Sequence, residues 1–248
     1  MDTTTSIPPF PGAVGVTHLR VYDTPTPDGL VGGSPHVHFV CTELYIIVGG
    51  RGSVQTLSAA GYRETTLEPG KLVWFTPGTI HRLINDGDLE IQIVMQNAGL
   101  PEAGDAVLTF PMNVLADAPA YFDAASLAPS GHVYASSAEA AHARRDLAVE
   151  GFGVLRQRFE ERGPAALEEF YCAALKLVQP KLGAWRKVWE RGPLVATQQT
   201  AEQLDALQDG QTEHLFEGGI YVLPAPGEAR RLGMCGTLGL YLPEGVAK

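Results

Sequence analysis

The chain has 248 residues, a net charge of −10 and a pI near 5.1. This excess of negative charge argues against nucleic acid and anionic membrane surfaces as main partners, because both are themselves negatively charged. Hydrophobic residues make up 45% of the sequence, as in ordinary soluble globular proteins, and no apolar run approaches the length of a membrane span.

The N-terminus and the cysteines bear on the cellular compartment. The first residues, MDTTTSIPPFPG, lack the basic and apolar regions of a secretory signal peptide. The three cysteines, Cys41, Cys172 and Cys235, have neither metal-site nor C-x-x-C spacing, so reduced thiols are the simplest interpretation. We therefore expect a cytoplasmic protein.

Short strand patterns follow one another through the first half of the chain. The Pro- and Gly-rich segment 23–35 predicts a loop after the first strand. Gly, Pro and Asp residues separate the later strands, which is typical of antiparallel sandwiches and barrels. The predicted strands are Val14–Tyr22, Leu44–Val48, Ser53–Leu57, Arg63–Leu67, Lys71–Phe75, His81–Asn85 and Glu90–Gln96.

Two clusters of polar residues interrupt this pattern. His36, His38 and Glu43 form H-x-H-x4-E, and the alternation of side chains along a strand directs both imidazoles to the same face. Glu43 follows a turn, from which it can return to that face on the neighbouring strand. His81 lies in the second cluster, which reads Pro-Gly-x2-His-x3-Asn and ends at Asn85. Three imidazoles and one carboxylate that converge suit a divalent first-row transition metal.

Together the two clusters resemble the signature motifs of the cupin superfamily, and the resemblance extends over about residues 14–97. It implies an antiparallel jelly-roll β-barrel of the single-barrel, type-2 kind, which we place at residues 1–112. It also implies that one divalent metal (Fe, Mn, Ni, Co or Zn) binds inside the barrel. The implied ligands are His36, His38, Glu43 and His81.

The same alternation suggests which side chains line a substrate pocket. Tyr45 and Ile47 share a face with Glu43, and Leu83 shares one with His81. In the last strand, either the set that contains Gln92 or the set that contains Ile91 points inward, and the pattern leaves both open. We include Tyr45, Ile47, Leu83 and Gln92 as candidate pocket residues.

Residues 113–248 predict an α-helical extension that ends in two strands. Ser136 and Glu139 form a capping box, from which a helix runs to Arg162, and Pro164 begins the next. Residues 131–210 contain 10 basic and 11 acidic side chains, without the basic excess of a DNA-reading module. We expect Phe170, Leu175, Trp185 or Trp189 to be buried against the barrel or a partner subunit. We also expect two strands that join the sheet of the barrel, at Gly219–Leu223 and Thr237–Leu242.

Four protein ligands leave about two positions free on an octahedral metal, which suits a small oxygenated substrate. By resemblance, we favour a dioxygenase in which Glu43, the one evident base, is the catalytic residue. A sugar or keto-acid isomerase or epimerase is the first alternative, and a non-catalytic small-molecule-binding cupin is the second. We expect a homodimer with a small-molecule substrate and with neither nucleic-acid nor membrane partners.

Overall fold

The computed structural model describes residues 8–128 and 136–241. These residues form nine β-strands, six α-helices and three short 3-10 turns. The strands are β1 (Gly15–Val21), β2 (His36–His38), β3 (Glu43–Ser58), β4 (Gly61–Leu67), β5 (Leu72–Phe75), β6 (Ile80–Met95), β7 (Ala106–Leu108), β8 (Arg231–Leu232) and β9 (Gly236–Leu240). The helices are α1 (Met112–Leu115), α2 (Ala118–Ala125), α3 (Ser137–Arg162), α4 (Pro164–Val178), α5 (Leu182–Arg191) and α6 (Pro193–Gln208).

The centre of the sheet is a long antiparallel ladder between β3 and β6. Each was predicted as two short strands, but each continues through its glycine- or aspartate-rich middle. The irregular part of β3 lies opposite that of β6. The pairing register shifts between Ile47 and Gly52 of β3, and this segment faces residues 87–90 of β6. Gly50 takes a left-handed conformation (φ 68°) there, with its Cα against the backbone of Asp88. The ladder therefore bends at this point and does not end.

The strands form one antiparallel, cupin-like sheet in which β6 pairs with β1, β2 and β3. Its path is β4-β3-β6-β1-β9-β8, while β2 pairs with β6 and β7, and β5 pairs with β3. The pairings among the described residues leave this sheet open, so the closed jelly-roll barrel of the prediction is not found in them. The side chains that point to the inner face of this sheet, such as Leu19, Tyr45 and Ile91, are fully buried.

The helical prediction for the second half is confirmed. The Ser136 hydroxyl accepts a hydrogen bond from the Glu139 backbone N–H at 3.2 Å, as the capping box requires, and α3 ends before Gly163. Within α3, a side chain at Gly151 would collide with the Thr109 carbonyl oxygen, so the helix crosses this segment at glycine. Such close packing fixes α3 against the strand side of the molecule.

The predicted burial of Phe170, Leu175, Trp185 or Trp189 is confirmed for two of these four residues. Phe170 and Trp185 are buried, and the Trp185 indole N–H donates to the Ala103 carbonyl at 3.0 Å. Leu175 and Trp189 are instead exposed, at 45% and 36%. The reason is that α4 and α5 each turn one narrow face toward the core, and these two side chains lie outside it.

The C-terminal strands extend the sheet at its β1 edge. β9 pairs with β1 from Thr17–Leu240 to Val21–Gly236, and β8 pairs with β9. The strand predicted at Gly219–Leu223 does not form, because this segment pairs with no neighbour and Ile220 is 90% exposed. The last residue of the other predicted strand, Leu242, lies outside the described residues. The chain thus returns from the helices to the sheet beside the first strand.

Candidate metal centre

The two polar motifs meet because β2 and β6 are hydrogen-bonded neighbours. His36 of β2 lies directly opposite His81 of β6, and His38 follows two residues along on the same face. Glu43 is the first residue of β3, which flanks β6 on its other side. All four side chains are buried, and one potential ligand atom from each lies within 4.8 Å of the others. The structure therefore brings the four predicted ligands to one point.

Each of the three imidazoles is oriented by a hydrogen bond at Nδ1. All three acceptors are carbonyl or carboxylate oxygens, so Nδ1 must carry the proton and Nε2 is the nitrogen that faces the cluster. Metal-binding histidines are commonly fixed in this way, which sets both the tautomer and the ring orientation. The acceptors are Ser34 O for His36 (2.9 Å), Asp105 Oδ2 for His38 (3.1 Å) and Thr79 O for His81 (3.0 Å).

Asp105 is a functional residue that the sequence motifs do not mark. It is fully buried before β7; its Oδ2 accepts from His38, and its Oδ1 accepts from the backbone N–H groups of Phe39 and Val40 at 3.0 Å. These bonds hold its pKa low, although burial alone would raise it. Asp105 lies 67 residues after His38 in the chain. Only the pairing of β2 with β7 makes them neighbours.

The electrostatics of the cluster favour an ionised carboxylate among imidazoles. Burial alone would raise the pKa of Glu43, but the adjacent His38 and His81 imidazoles outweigh it and hold the pKa well below its usual range. Burial would lower the pKa of His38, yet Asp105 and Glu43 raise it to about 9. Burial and the two other imidazoles hold the pKa of His36 well below its usual range. Without metal, the negative charge of the Glu43 carboxylate is thus balanced by the positive charge of the protonated His38 imidazole.

The polar atoms at the centre of the cluster are those that a metal would satisfy. Glu43 Oε2 and His81 Nε2 lie 3.0 Å apart, but both are buried without a properly oriented hydrogen bond. Buried polar atoms without partners are rare in proteins and need an explanation. Nitrogen and carboxylate donors of this kind suit a first-row divalent ion. The residues present therefore fit such an ion, held by three imidazole nitrogens and one carboxylate oxygen.

The cluster opens onto a cavity of about 530 Å³. Tyr45, one of the candidate pocket residues, lines this cavity, and its buried hydroxyl beside Glu43 has no hydrogen-bond partner. Ile47 and Leu83 are packed in the core and do not line the cavity. Gln92 does not line it either, because it belongs to the outward set of β6 and accepts a hydrogen bond from the Tyr241 hydroxyl. The inward set of β6 supplies the apolar wall, through Ile93 and Met95.

The far side of the cavity comes from the C-terminal half. Arg144 of α3 and Arg231 of β8 line it, together with Cys235 and Leu238. The Cys235 thiol lies 3.9 Å from His36 Nδ1 and donates to the Ser34 carbonyl, so it supports the first ligand. Neither spacing nor periodicity links these residues to the motifs of the first half. The sequence alone therefore does not predict that these residues reach the cavity.

Comparison with known proteins identifies the fold of the N-terminal part. Residues 26–96 match the family described as Cupin domain, a segment that contains all four clustered residues. This part of the chain is a cupin domain. No curated protein sequence matches the chain.

Several solved structures resemble it over limited regions. They include DMSP lyases, with 22% identity over 38% of this chain and 43% of that chain (TM-score 0.30). A capsular polysaccharide assembling protein, CapF, from Staphylococcus aureus has 20% identity over 34% of this chain and 22% of that chain (TM-score 0.26). A cupin superfamily protein from Desulfitobacterium hafniense has 15% identity over 34% of this chain and 66% of that chain (TM-score 0.27). The chain spans less than half the length of the first of these, and no activity is transferred from them.

In the part of the chain that the structure describes, none of the helices combines the length and the apolar character that a membrane span requires.

Proposed function

We propose that this protein is a metal-dependent enzyme that acts on a small oxygenated metabolite in the cavity, and that the reaction is of the dioxygenase type. The observation that carries the proposal is the buried cluster of His36, His38, Glu43 and His81, of which the first three line a cavity large enough for a small ligand. A bound redox-active ion would supply Lewis acidity toward substrate oxygens and electrons for reaction with dioxygen.

The protein's own residues hold and desolvate the substrate in this proposal. The apolar side chains of Leu19, Ile93 and Met95 line the cavity and exclude water around the reacting atoms. Glu43 lies at the inner end and stays ionised, as its lowered pKa requires, so it can serve as a ligand. Arg82, adjacent in sequence to His81, is directed away and forms its ion pair with Asp28. It therefore takes no part in the cavity.

The test is oxygen uptake by Fe(II)-loaded protein with an enolic or catecholic substrate. We expect uptake to equal substrate consumption, to stop under anaerobic conditions and to be lost in Glu43→Ala. The exposed Glu64→Ala, on β4, is the matched control and should retain the activity. Turnover at an undiminished rate without oxygen would overturn the dioxygenase proposal. Ligand binding without turnover of any such substrate would favour the non-catalytic cupin.

A metal-dependent isomerase or epimerase is the second candidate, and Tyr45 is the observation that favours it. Its hydroxyl is buried beside Glu43, with its pKa held well above the usual range by burial and by that carboxylate. A neutral tyrosine hydroxyl that lines the cavity is positioned to donate a proton to a substrate oxygen or carbon. Such a reaction needs no oxygen and no redox-active metal.

Tyr45→Phe separates the two candidates. Loss of a general acid or base lowers the rate by about 10²–10⁴-fold, so an isomerase should lose most of its kcat while it keeps its metal. A dioxygenase in which Tyr45 only lines the cavity should change far less. The comparison should be made with Zn(II)-loaded and Fe(II)-loaded protein in parallel, because Zn(II) cannot support the redox reaction.

We also propose that the protein is a homodimer. Several large apolar side chains are exposed at the end of α6 and after it, among them Leu204 (63%), Phe216 (88%) and Ile220 (90%). A second copy of the chain would cover these side chains. Light scattering coupled to size exclusion should give twice the chain mass of 26.5 kDa. A mass of 26.5 kDa at micromolar concentration would contradict the dimer.

A further inference from the structure

Arg144 is a half-buried arginine that lines the same cavity as the metal cluster and has no carboxylate partner among the described residues. It reaches the cavity from α3, and its Nε is buried without a hydrogen-bond partner. Two donors are used, since Nη1 donates to the Ala125 carbonyl at 3.2 Å and Nη2 donates to the Gly233 carbonyl at 2.8 Å. A guanidinium has five N–H donors, so three are left for another acceptor.

The fully buried arginines among the described residues are instead paired with carboxylates. Arg82 pairs with Asp28, and Arg145, the neighbour of Arg144 on α3, pairs with Asp146 and donates to three loop carbonyls. Partial burial lowers the pKa of Arg144, but a guanidinium stays protonated at neutral pH. Arg144 therefore brings to the cavity a positive charge that no carboxylate among the described residues pairs with.

The charges around the cavity favour an anion as well. Arg231 lines its outer part from β8 and is exposed. Glu43 is the acidic group of the inner end, and a bound divalent ion would more than neutralise it. Glu102 lies at the exposed rim, where its Oε2 already accepts from the Gly99 backbone N–H at 2.9 Å. With such an ion bound, the charged groups that line the cavity would therefore carry a net positive charge, although the whole chain has a net charge of −10.

We infer that the substrate carries a carboxylate, which Arg144 binds while the oxygenated end of the same molecule faces the metal cluster. This inference rests on the proposed function, of which it specifies the substrate class. A planar guanidinium with free donors matches a carboxylate in geometry, and one unpaired positive charge matches one negative charge. Arg144 acts as a binding and positioning residue in this arrangement, with Arg231 as an outer guide for the incoming anion.

The test is calorimetric titration of Zn(II)-loaded protein with malonate, succinate and glutarate, and with the diamide of each. Zinc prevents redox turnover, and each diamide matches its acid in size without the charge. We expect at least one acid to bind about tenfold or more tightly than its diamide. Arg144→Gln should remove that preference, Arg144→Lys should retain part of it, and Arg231→Gln should reduce it less. Arg63→Gln, an exposed arginine on β4, is the control and should change nothing.

The inference would be overturned by equal binding of acids and diamides, by the absence of any acid binding, or by an unchanged preference in Arg144→Gln. Tighter binding of inorganic phosphate than of every acid would also overturn it. If Arg144→Gln proves unstable, the wild-type contrast between acid and diamide together with Arg144→Lys still decides. Zinc content is measured in parallel. If the protein binds no zinc but still prefers acids to diamides in an Arg144-dependent way, the metal proposal alone is refuted. If the protein binds a full equivalent of zinc but shows no preference for acids, this inference alone is refuted.

Discussion

The two sides of the cavity are encoded in different ways. The candidate metal ligands lie between His36 and His81, on strands that are close in sequence and directly paired. The opposite wall comes from Arg144 on α3 and from the segment around Cys235, which the chain reaches only after the helices. A ligand cluster built on neighbouring strands leaves a spacing pattern in the sequence, whereas a wall assembled from distant segments leaves none.

The largest expected effect concerns the ligand side. His81→Ala removes one of the four ligands and leaves Glu43 with fewer partners, so we expect nearly complete loss of bound metal after dialysis, and a lower melting temperature. Metal content by elemental analysis is the measurement. His214→Ala, outside the cluster, is the matched control. Retention of a full equivalent of metal in His81→Ala would remove His81 from the ligand set.

The next prediction tests how tightly α3, and with it Arg144, is held against the sheet side. Gly151→Ala places a methyl group against the Thr109 backbone, which cannot yield cheaply, and should cost about 3 kcal/mol. Gly153→Ala on the same helix meets open space and should stabilise by up to about 1 kcal/mol through helix propensity. Denaturant unfolding measures both. Equal effects of the two substitutions would mean that α3 does not pack closely at Gly151.

Asp105 should matter less than a ligand but more than a surface charge. Asp105→Asn keeps the shape but weakens the hold on His38 Nδ1, so we expect metal affinity to fall by about 10–100-fold. Competition with a chelator measures the affinity. Asp86→Asn, at an exposed position of β6, is the control. An affinity within error of the wild type would show that the imidazole of His38 is oriented by its strand alone.

A smaller, continuous effect follows from the pKa of His38. Because this pKa is raised to about 9 in the metal-free protein, the imidazole is protonated at neutral pH and must release a proton when metal binds. Metal affinity should therefore rise by about tenfold per pH unit up to about pH 9, and then level off. Titrations in buffers of different ionisation enthalpy count the released protons. Affinity that is independent of pH between 6 and 9 would contradict this account.

Sequence alone predicted most of what lies close together along the chain. The strand patterns of the first half, the four clustered residues and the Ser136 cap depend on local spacing and periodicity, and the structure contains all of these. Local pattern could not decide which set of β6 faces inward, because alternation defines two faces without naming the buried one. It also predicted a strand at Gly219–Leu223 from its β-branched and aromatic residues, although no partner strand lies beside it.

What the sequence could not predict depends on contacts between distant segments. Asp105 reaches His38 through the pairing of β2 with β7, and Cys235 reaches the cavity because Gly33 leaves room for its backbone. A Cβ at Gly33 would lie 2.7 Å from the Cys235 Cα, so this approach is possible only at glycine. Such proximity follows from tertiary packing, and nothing in the local pattern around either residue indicates it.

The most direct test of the central claim is X-ray absorption spectroscopy at the metal edge of protein purified without added metal. The account predicts one first-row divalent ion per chain, with imidazole backscattering from three histidines and one carboxylate oxygen at about 2.0–2.2 Å. His81→Ala, which should lose nearly all of its bound metal, should give almost no signal at this edge. Protein that stays metal-free after dialysis against Fe(II), Mn(II), Ni(II), Co(II) and Zn(II), or a bound ion without imidazole backscattering, would contradict the account.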